Sequence, residues 1–425
     1  MSILRCAIGL LLCGSTSAVN PLNFAFPENT AEPTPFQISV DAEFIQSTIE
    51  KARSYRPSFT PQNLPEWEEG APPEAMNELA RYWADEYDWA DVQEEINSNF
   101  SHFTTTVTGS DKYPHPIPLH FIHERASQSN DTSEAIPLLM LHGWPSTSLE
   151  WAKVIHPLTR GHVSNASTPR FHVVAPDLPG YGFSPAATHM GLGIREMGRA
   201  FDALMHQLGY ETYCIFSTDI GWGVGMWMAA DSTSVTAHAT DFWQARATAD
   251  DQARFDRNET TAEETVYMRS TVALMNHHFG YFGVHATRPL SISLAMTDSP
   301  VGFLAWVWDL VYTFSDGYAY SKAELITTAM SLYIQGTYGN IVLYKDAATE
   351  GFNFPKTSVP TGILQFAHPN GPYAELKDYG LAPRDWTERT ANVTFLRRHP
   401  FGGHFPAVSY PEVWVADVQD FFAQI

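Results

Sequence analysis

Two residues far apart in this 425-residue chain have the types and settings to do chemistry at a saturated carbon. The first is Asp219 in YCIFSTDIGWGVG, residues 213–225, where an apolar run turns through Ser-Thr-Asp-Ile-Gly into a second apolar run. A strand-to-helix turn of the form small-x-nucleophile-x-Gly holds its central residue in a strained conformation with the side chain exposed, so its flanking residues must be tiny. Ser217 and Gly221 meet that need. A carboxylate at the apex can displace at a saturated carbon, leaving an ester on the protein that water must later cleave. An aspartate that merely caps the following helix would look the same, so its company decides. That company is His404 in RRHPFGGHFPAVSYPE, placed after Gly402-Gly403 between an apolar run and the last helical stretch. There the base of a nucleophile–acid–His order is expected. His399 competes for the role, and the two glycines favour His404 because they let the backbone deliver the ring into a pocket. Upstream, HGWP (His142 to Pro145) closes an apolar run and offers the N–H of Trp144; with the N–H of Ile220 it makes a two-donor oxyanion hole.

These groups need a scaffold that brings loop ends together. IPLLMLHGWP and RFHVVAPDLPGYGFS are short apolar runs ending in Gly/Pro loops, the pattern of buried parallel strands. REMGRAFDALMHQLGY carries Met197, Phe201, Leu204, Met205 and Leu208 on one helical face and closes at Gly209. The strand–helix alternation breaks near Gln244 and resumes near Val359 with VPTGILQFAH and NVTFLRRHPFGGHF. The stretch between, rich in Tyr, Trp, Met and His, predicts an inserted helical lid. The last segment, PEVWVADVQDFFAQI, repeats Trp414, Val418, Phe421, Phe422 and Ile425 as a core stripe. Before the sheet, residues 20–36 suggest an extended arm. Three helices follow: one capped by Asp41 with Phe44, Ile45 and Ile49 on one face, one with Met76, Leu79, Tyr82 and Trp83, and one over DWADVQEEINSNF. HFTTTVTG then alternates like a strand. The expected organisation is α/β, with a leader over 1–18, an N-terminal extension over 19–118, a core over 119–244 and 359–425, and a lid over 245–358.

Composition narrows the function classes. With 44% hydrophobic residues the chain can bury a large core. MSILRCAIGLLLCGSTSAVN has one early Arg5, an apolar run too short to span a bilayer, and small residues up to Ala18, the layout of a secretory signal peptide. Five Asn-x-Ser/Thr sites (Asn99, Asn130, Asn165, Asn258, Asn392) support a secreted or lumenal protein. Of three cysteines, Cys6 and Cys13 fall in the leader, which leaves Cys214 as a small buried apolar residue, not a nucleophile. The net charge is −22. Removing Arg5 with an acid-free leader makes it −23, which repels nucleic acid and anionic lipid surfaces. No phosphate loop, dinucleotide fingerprint or Cys/His metal spacing is present, so no metal or cofactor is expected. The oligomeric state is left open, a dimer included.

HGWP, DLPGYGFS, the aspartate turn, DSPVG and GGHFPAVSYPE together resemble the microsomal-type epoxide hydrolases of the α/β-hydrolase superfamily. YWADEYDWADVQEEINSNFSHF resembles that group's N-terminal extension, so the resemblance covers nearly the whole mature chain. It implies an α/β-hydrolase core with an inserted lid, Asp219 as nucleophile and His404 as the water-activating base. FGYFGVHATRP and IVLYKDA match the segments whose tyrosines bind the epoxide oxygen, implying Tyr281 and Tyr344. The acid that orients the base is implied at Asp378, eight residues before Trp386 in KDYGLAPRDW, with Glu375 as second choice because the loop AHPNGPYAEL is longer than the family's. The family usually writes Gly-Gly-Asp-Trp-Gly where this chain writes Ser-Thr-Asp-Ile-Gly; Ile220 alters the pocket wall and argues against the related haloalkane dehalogenases. The implied activity is hydrolysis of a small apolar epoxide to a vicinal diol. The alternatives are an epoxide-opening cyclase and a non-catalytic binding protein on the same fold.

Overall fold

The computed structural model describes residues 21–29, 31–127, 135–161 and 168–425. The leader, Asn130 and Asn165 lie outside the described residues. Nine strands form one sheet: β1 (Ala31–Phe36), β2 (His102–Val107), β3 (Ile117–Glu124), β4 (Ile136–Leu141), β5 (Phe171–Pro176), β6 (Tyr213–Ser217), β7 (Val235–Thr240), β8 (Pro360–Ala367) and β9 (Asn392–Gly402). Their spatial order is β1-β2-β3-β5-β4-β6-β7-β8-β9. From β5 to β9 every neighbouring pair is parallel, while β1, β2 and β3 join antiparallel at one side. This is the α/β-hydrolase fold. Parallel strands are covered on both faces, which is why β6 is buried at all five positions and reads as an unbroken apolar run. In such a sheet, chemistry collects at the carboxyl ends of the central strands. Leu141 pairs with Ser217, so HGWP and the aspartate turn leave the sheet at the same level.

Local sequence explains most of the elements. Asp41 caps the helix Ala42–Arg53 by accepting the Phe44 N–H. Helices Pro73–Asp85 and Trp89–Asn99 follow, the former burying Met76, Leu79 and Trp83. Seven α-helices between Ala249 and Glu350 are inserted between β7 and β8. Core and insertion meet where Gly180 packs on Gly339: a Cβ on Gly180 would lie 2.5 Å from the Gly339 carbonyl carbon, closer than any side chain permits. A buried relay also ties β2 to the core. His102 Nδ1 meets His120 Nε2 at 2.9 Å, and His120 Nδ1 meets Asp177 at 2.7 Å.

Two expectations change. The arm is not wholly irregular: AEPTPF forms β1, which pairs with β2 and ends the sheet. Pro33 and Pro35 are tolerated because an edge strand has one side with no ladder to serve, and Pro33 falls where the pairing with β2 shifts register between Ala31 and Thr34. The C-terminal stripe stops early, because the helix ends at Phe422 and Ile425 is 54% exposed. Among the described residues no single helix is long and apolar enough to cross a membrane.

Candidate active site

The turn after β6 has the strain its sequence predicts. Asp219 has φ +46, a left-handed conformation that residues other than glycine rarely adopt. Thr218 occupies the N-cap position of the helix Asp219–Asp231 without a side-chain cap, and the first intrahelical bond runs from the Trp222 N–H to the Thr218 carbonyl. Close backbone approach dictates the glycines around it. A Cβ on Gly221 would stand 2.3 Å from the His142 carbonyl oxygen, and one on Gly143 would stand 2.2 Å from the Asp219 Cβ. Neither position can carry a side chain without pushing the two loops apart.

Asp219 Oδ1 accepts the Trp144 N–H at 2.9 Å. Oδ2 lies 3.6 Å from His404 Nε2. The Ile220 N–H, in the first turn of its helix, is not needed by the helical ladder and is free to act beside Trp144. The Trp144–Pro145 peptide is cis. His404 reaches this position because Gly402 and Gly403 adopt φ +116 and +71. Its own N–H is tied to the Phe314 carbonyl of the insertion at 2.9 Å. Burial pulls the His404 imidazole below its usual range, partly offset by the Asp219 charge, which favours the neutral ring a base needs.

Tyr281 and Tyr344 close the site from the insertion. Their rings sit 5.8 Å apart in a T-shaped pair, and both contact the Trp144 indole, at 5.6 and 6.1 Å. Among the described residues the buried Tyr344 hydroxyl makes no hydrogen bond of ordinary geometry, its nearest polar neighbour being the Tyr281 hydroxyl. Burial first, then the charges around them, Asp219 among them, keep both phenols protonated well above the ordinary range. Such a hydroxyl is a donor in search of an acceptor. Around these groups lies a cavity of about 500 Å³ walled by Ile220, Trp222, Phe242, Leu310, Phe314 and Phe352 among others.

The structure does not bring either predicted orienting acid to His404. Glu375 pairs with His278 at 3.1 Å, and Asp378 sits half-buried in a turn, its carboxylate without an ion pair among the described residues. The cause is the longer loop: it closes on itself through the His368 N–H and the Lys377 carbonyl at 2.8 Å, and so delivers Asp378 past the end of β8. Sequence reading also missed two buried carboxyls beneath Asp219. Glu150 is held protonated by burial, reinforced by Asp241 and Asp219. Asp241, just after β7, is pushed up to about 7 by burial, against hydrogen bonds from Thr218 and Trp414. Nothing in SLEW or in ATDF marks either as different from a surface acid. His399, the rival base, is bound to Asp417 at 2.5 Å and is structural. Cys214 is buried, and burial raises its thiol to about 11, so it is no nucleophile. No metal-ligating cluster of three or more side chains occurs among the described residues.

Comparison with known proteins bears on the fold and the reaction class. The family described as Epoxide hydrolase N terminus matches residues 33–151, and the alpha/beta hydrolase fold family matches residues 136–265. The juvenile hormone epoxide hydrolase of Bombyx mori is 28% identical over 413 residues, covering 90% of this chain and 85% of that protein. The crystal structure of the silkworm juvenile hormone epoxide hydrolase superposes with a TM-score of 0.82 at 23% identity, over 93% of this chain and 95% of that one, and shares its fold. The Aspergillus niger epoxide hydrolase structure gives 0.77 at 25% identity, over 94% and 99%. With a match to the Epoxide hydrolase N terminus family followed by one to the alpha/beta hydrolase fold family, and with relatives named epoxide hydrolase along nine-tenths of its length, the chain has the fold of the epoxide hydrolases and is similar to them throughout.

Proposed function

We propose that this epoxide hydrolase converts an apolar epoxide to a vicinal diol through an alkyl ester on Asp219. The observation that carries the reading is the convergence on one cavity of Asp219, held by the Trp144 N–H, with His404 3.6 Å away and both tyrosines in the wall. In the first step Asp219 Oδ2 attacks a ring carbon, the carbon–oxygen bond of the ring breaks, and the departing oxygen takes a proton from Tyr281 or Tyr344. In the second, a water gives its proton to His404 Nε2 and adds to the ester carbonyl. The oxyanion that forms on Oδ1 meets the N–H groups of Trp144 and Ile220. Collapse breaks the acyl–oxygen bond, the departing alkoxide takes the proton of the new carboxyl group, the diol leaves with Asp219 again a carboxylate, and the proton taken by His404 returns to the tyrosine pair. The net change is one water added. The apolar, aromatic wall supports an apolar substrate, and the helices between β7 and β8 act as its lid. The leader and the exposed Asn99 and Asn258 support passage through the secretory pathway, with glycans on the mature protein.

The test is single turnover in heavy-oxygen water, followed by mass analysis of the peptide carrying Asp219. One labelled oxygen in that carboxylate is expected, and an unlabelled carboxylate with a labelled diol would reject the ester route.

A further inference from the structure

The side of His404 that faces away from the nucleophile raises a question the family chemistry leaves open. A catalytic imidazole needs an acceptor on its second nitrogen to fix which nitrogen carries the proton. Among the described residues His404 Nδ1 makes no hydrogen bond. Of the buried carboxyls nearby, Asp316 accepts the backbone N–H groups of Gly402 and Asn370 with its two oxygens. Asp241 accepts Trp414 Nε1 through Oδ2, its Oδ1 makes no hydrogen bond of ordinary geometry among the described residues, and burial pushes it up to about 7, so it is no standing carboxylate at neutral pH. Tyr379, the other titratable group on this wall, is kept protonated by burial.

One side chain stands where the acid is missing. His368 is the first residue after β8, and His404 follows the glycine pair at the end of β9. The two strand ends are stitched together, Ala367 pairing with Gly402 and the Ala367 carbonyl accepting the Gly403 N–H at 3.1 Å. His368 and His404 therefore leave adjacent parallel strands side by side, and both line the cavity. The His368 ring packs at 4.7 Å on Tyr379, which packs at 5.7 Å on Phe314, and Phe314 lies 6.0 Å from the His404 ring. His368 is only 3% exposed, and among the described residues neither ring nitrogen makes a hydrogen bond of ordinary geometry, the nearest acceptor being the Phe314 carbonyl. A buried polar group in that condition is rare in a folded protein and is ordinarily met by water or put to use. Burial, and then the charge of a protonated His404, drive its pKa down to about 3, so it is neutral and able to accept.

We propose that His368 is the positioning residue of the water-activating step, accepting the Nδ1–H of His404 across one water molecule in place of the orienting carboxylate. This rests on the ester reading given above and deepens it. A neutral acceptor fixes the tautomer as an acid would, leaving the Nε2 lone pair aimed at water. It supplies no counter-charge to the imidazolium, so the base titrates low and ester cleavage persists into acid.

Alkylation and ester cleavage are followed separately by rapid mixing of the full-length protein with trans-stilbene oxide or styrene oxide. His368→Leu should slow ester cleavage about 10- to 100-fold, the range for residues that orient a catalytic ligand, with the alkylation rate unchanged and ester accumulating. His368→Gln, which keeps an acceptor, should recover most of that loss. His368→Glu should move the acid limb of ester cleavage to higher pH by supplying the missing charge. The proposal is overturned if His368→Leu leaves ester cleavage and its pH profile unaltered. It is also overturned if Gln fails to restore the rate while both variants melt like the parent, or if Asp378→Asn produces the slowing expected of His368→Leu. Absence of any ester in His404→Gln would instead remove the underlying two-step reading.

Discussion

The loops on either side of the catalytic carboxylate are built to different standards. On the nucleophile side, HGWP and the turn after β6 press backbone against backbone, with Gly143 and Gly221 allowing no added atom and the Trp144 N–H fixing Oδ1. On the base side, His404 is anchored by its backbone to Phe314, and its ring reaches Asp219 at 3.6 Å with the opposite nitrogen unpaired. The first half leaves the side chain no freedom. The second fixes the chain and leaves the ring to be steered by whatever neighbours it. On the proposed mechanism the site is strict where charge attacks and permissive where water is oriented, and only the strict half has to be spelled by fixed residues.

Perturbations should respect that asymmetry, and the size of each effect measures it. Asp219→Asn should abolish turnover, with a fall of about 10⁴-fold or more as for removal of other nucleophiles, while binding of a non-reactive diol measured by calorimetry is retained. Retained turnover would mean the strict half is not the reacting half. Next, Gly221→Ala should cost about 1–3 kcal/mol of stability, the usual penalty for overpacking, read as a lower melting temperature with activity lost in step. Were it neutral, the contact between the two loops would be looser than 2.3 Å implies. Smallest of all, Asp378→Asn should leave kcat and the pH profile within error, because its carboxylate touches neither ring nitrogen of His404. A tenfold loss would restore the carboxylate to the permissive half and erase the contrast.

The strict half was also the legible half. Tight backbone approach demands glycine and a strained turn demands small neighbours, so HGWP, Ser217, Asp219 and Gly221 announce themselves in one dimension, as do the glycines before His404. Strands β4, β5 and β6 could be read because burial on both faces leaves them almost wholly apolar, His172 and Ser217 being the exceptions. The orienting group could not be read the same way. Counting back from Trp386 finds Asp378, but a loop that closes through His368 and Lys377 uses up the residues meant to carry the acid to the base. The fate of Glu375, paired with His278 of the insertion, depends on a contact 97 residues away in sequence that no local pattern encodes. Glu150 and Asp241 were invisible for the same reason: only the assembled core shows that they are dry.

The strand that ends the sheet carries a last consequence. With prolines at 33 and 35, the outward rim of β1 presents carbonyl oxygens and few amide hydrogens, so a neighbouring molecule finds little to zip onto. Loss of residues before Gln37 would unmask His102–Val107 as a fresh, proline-free border and invite the polymerisation that six residues now prevent.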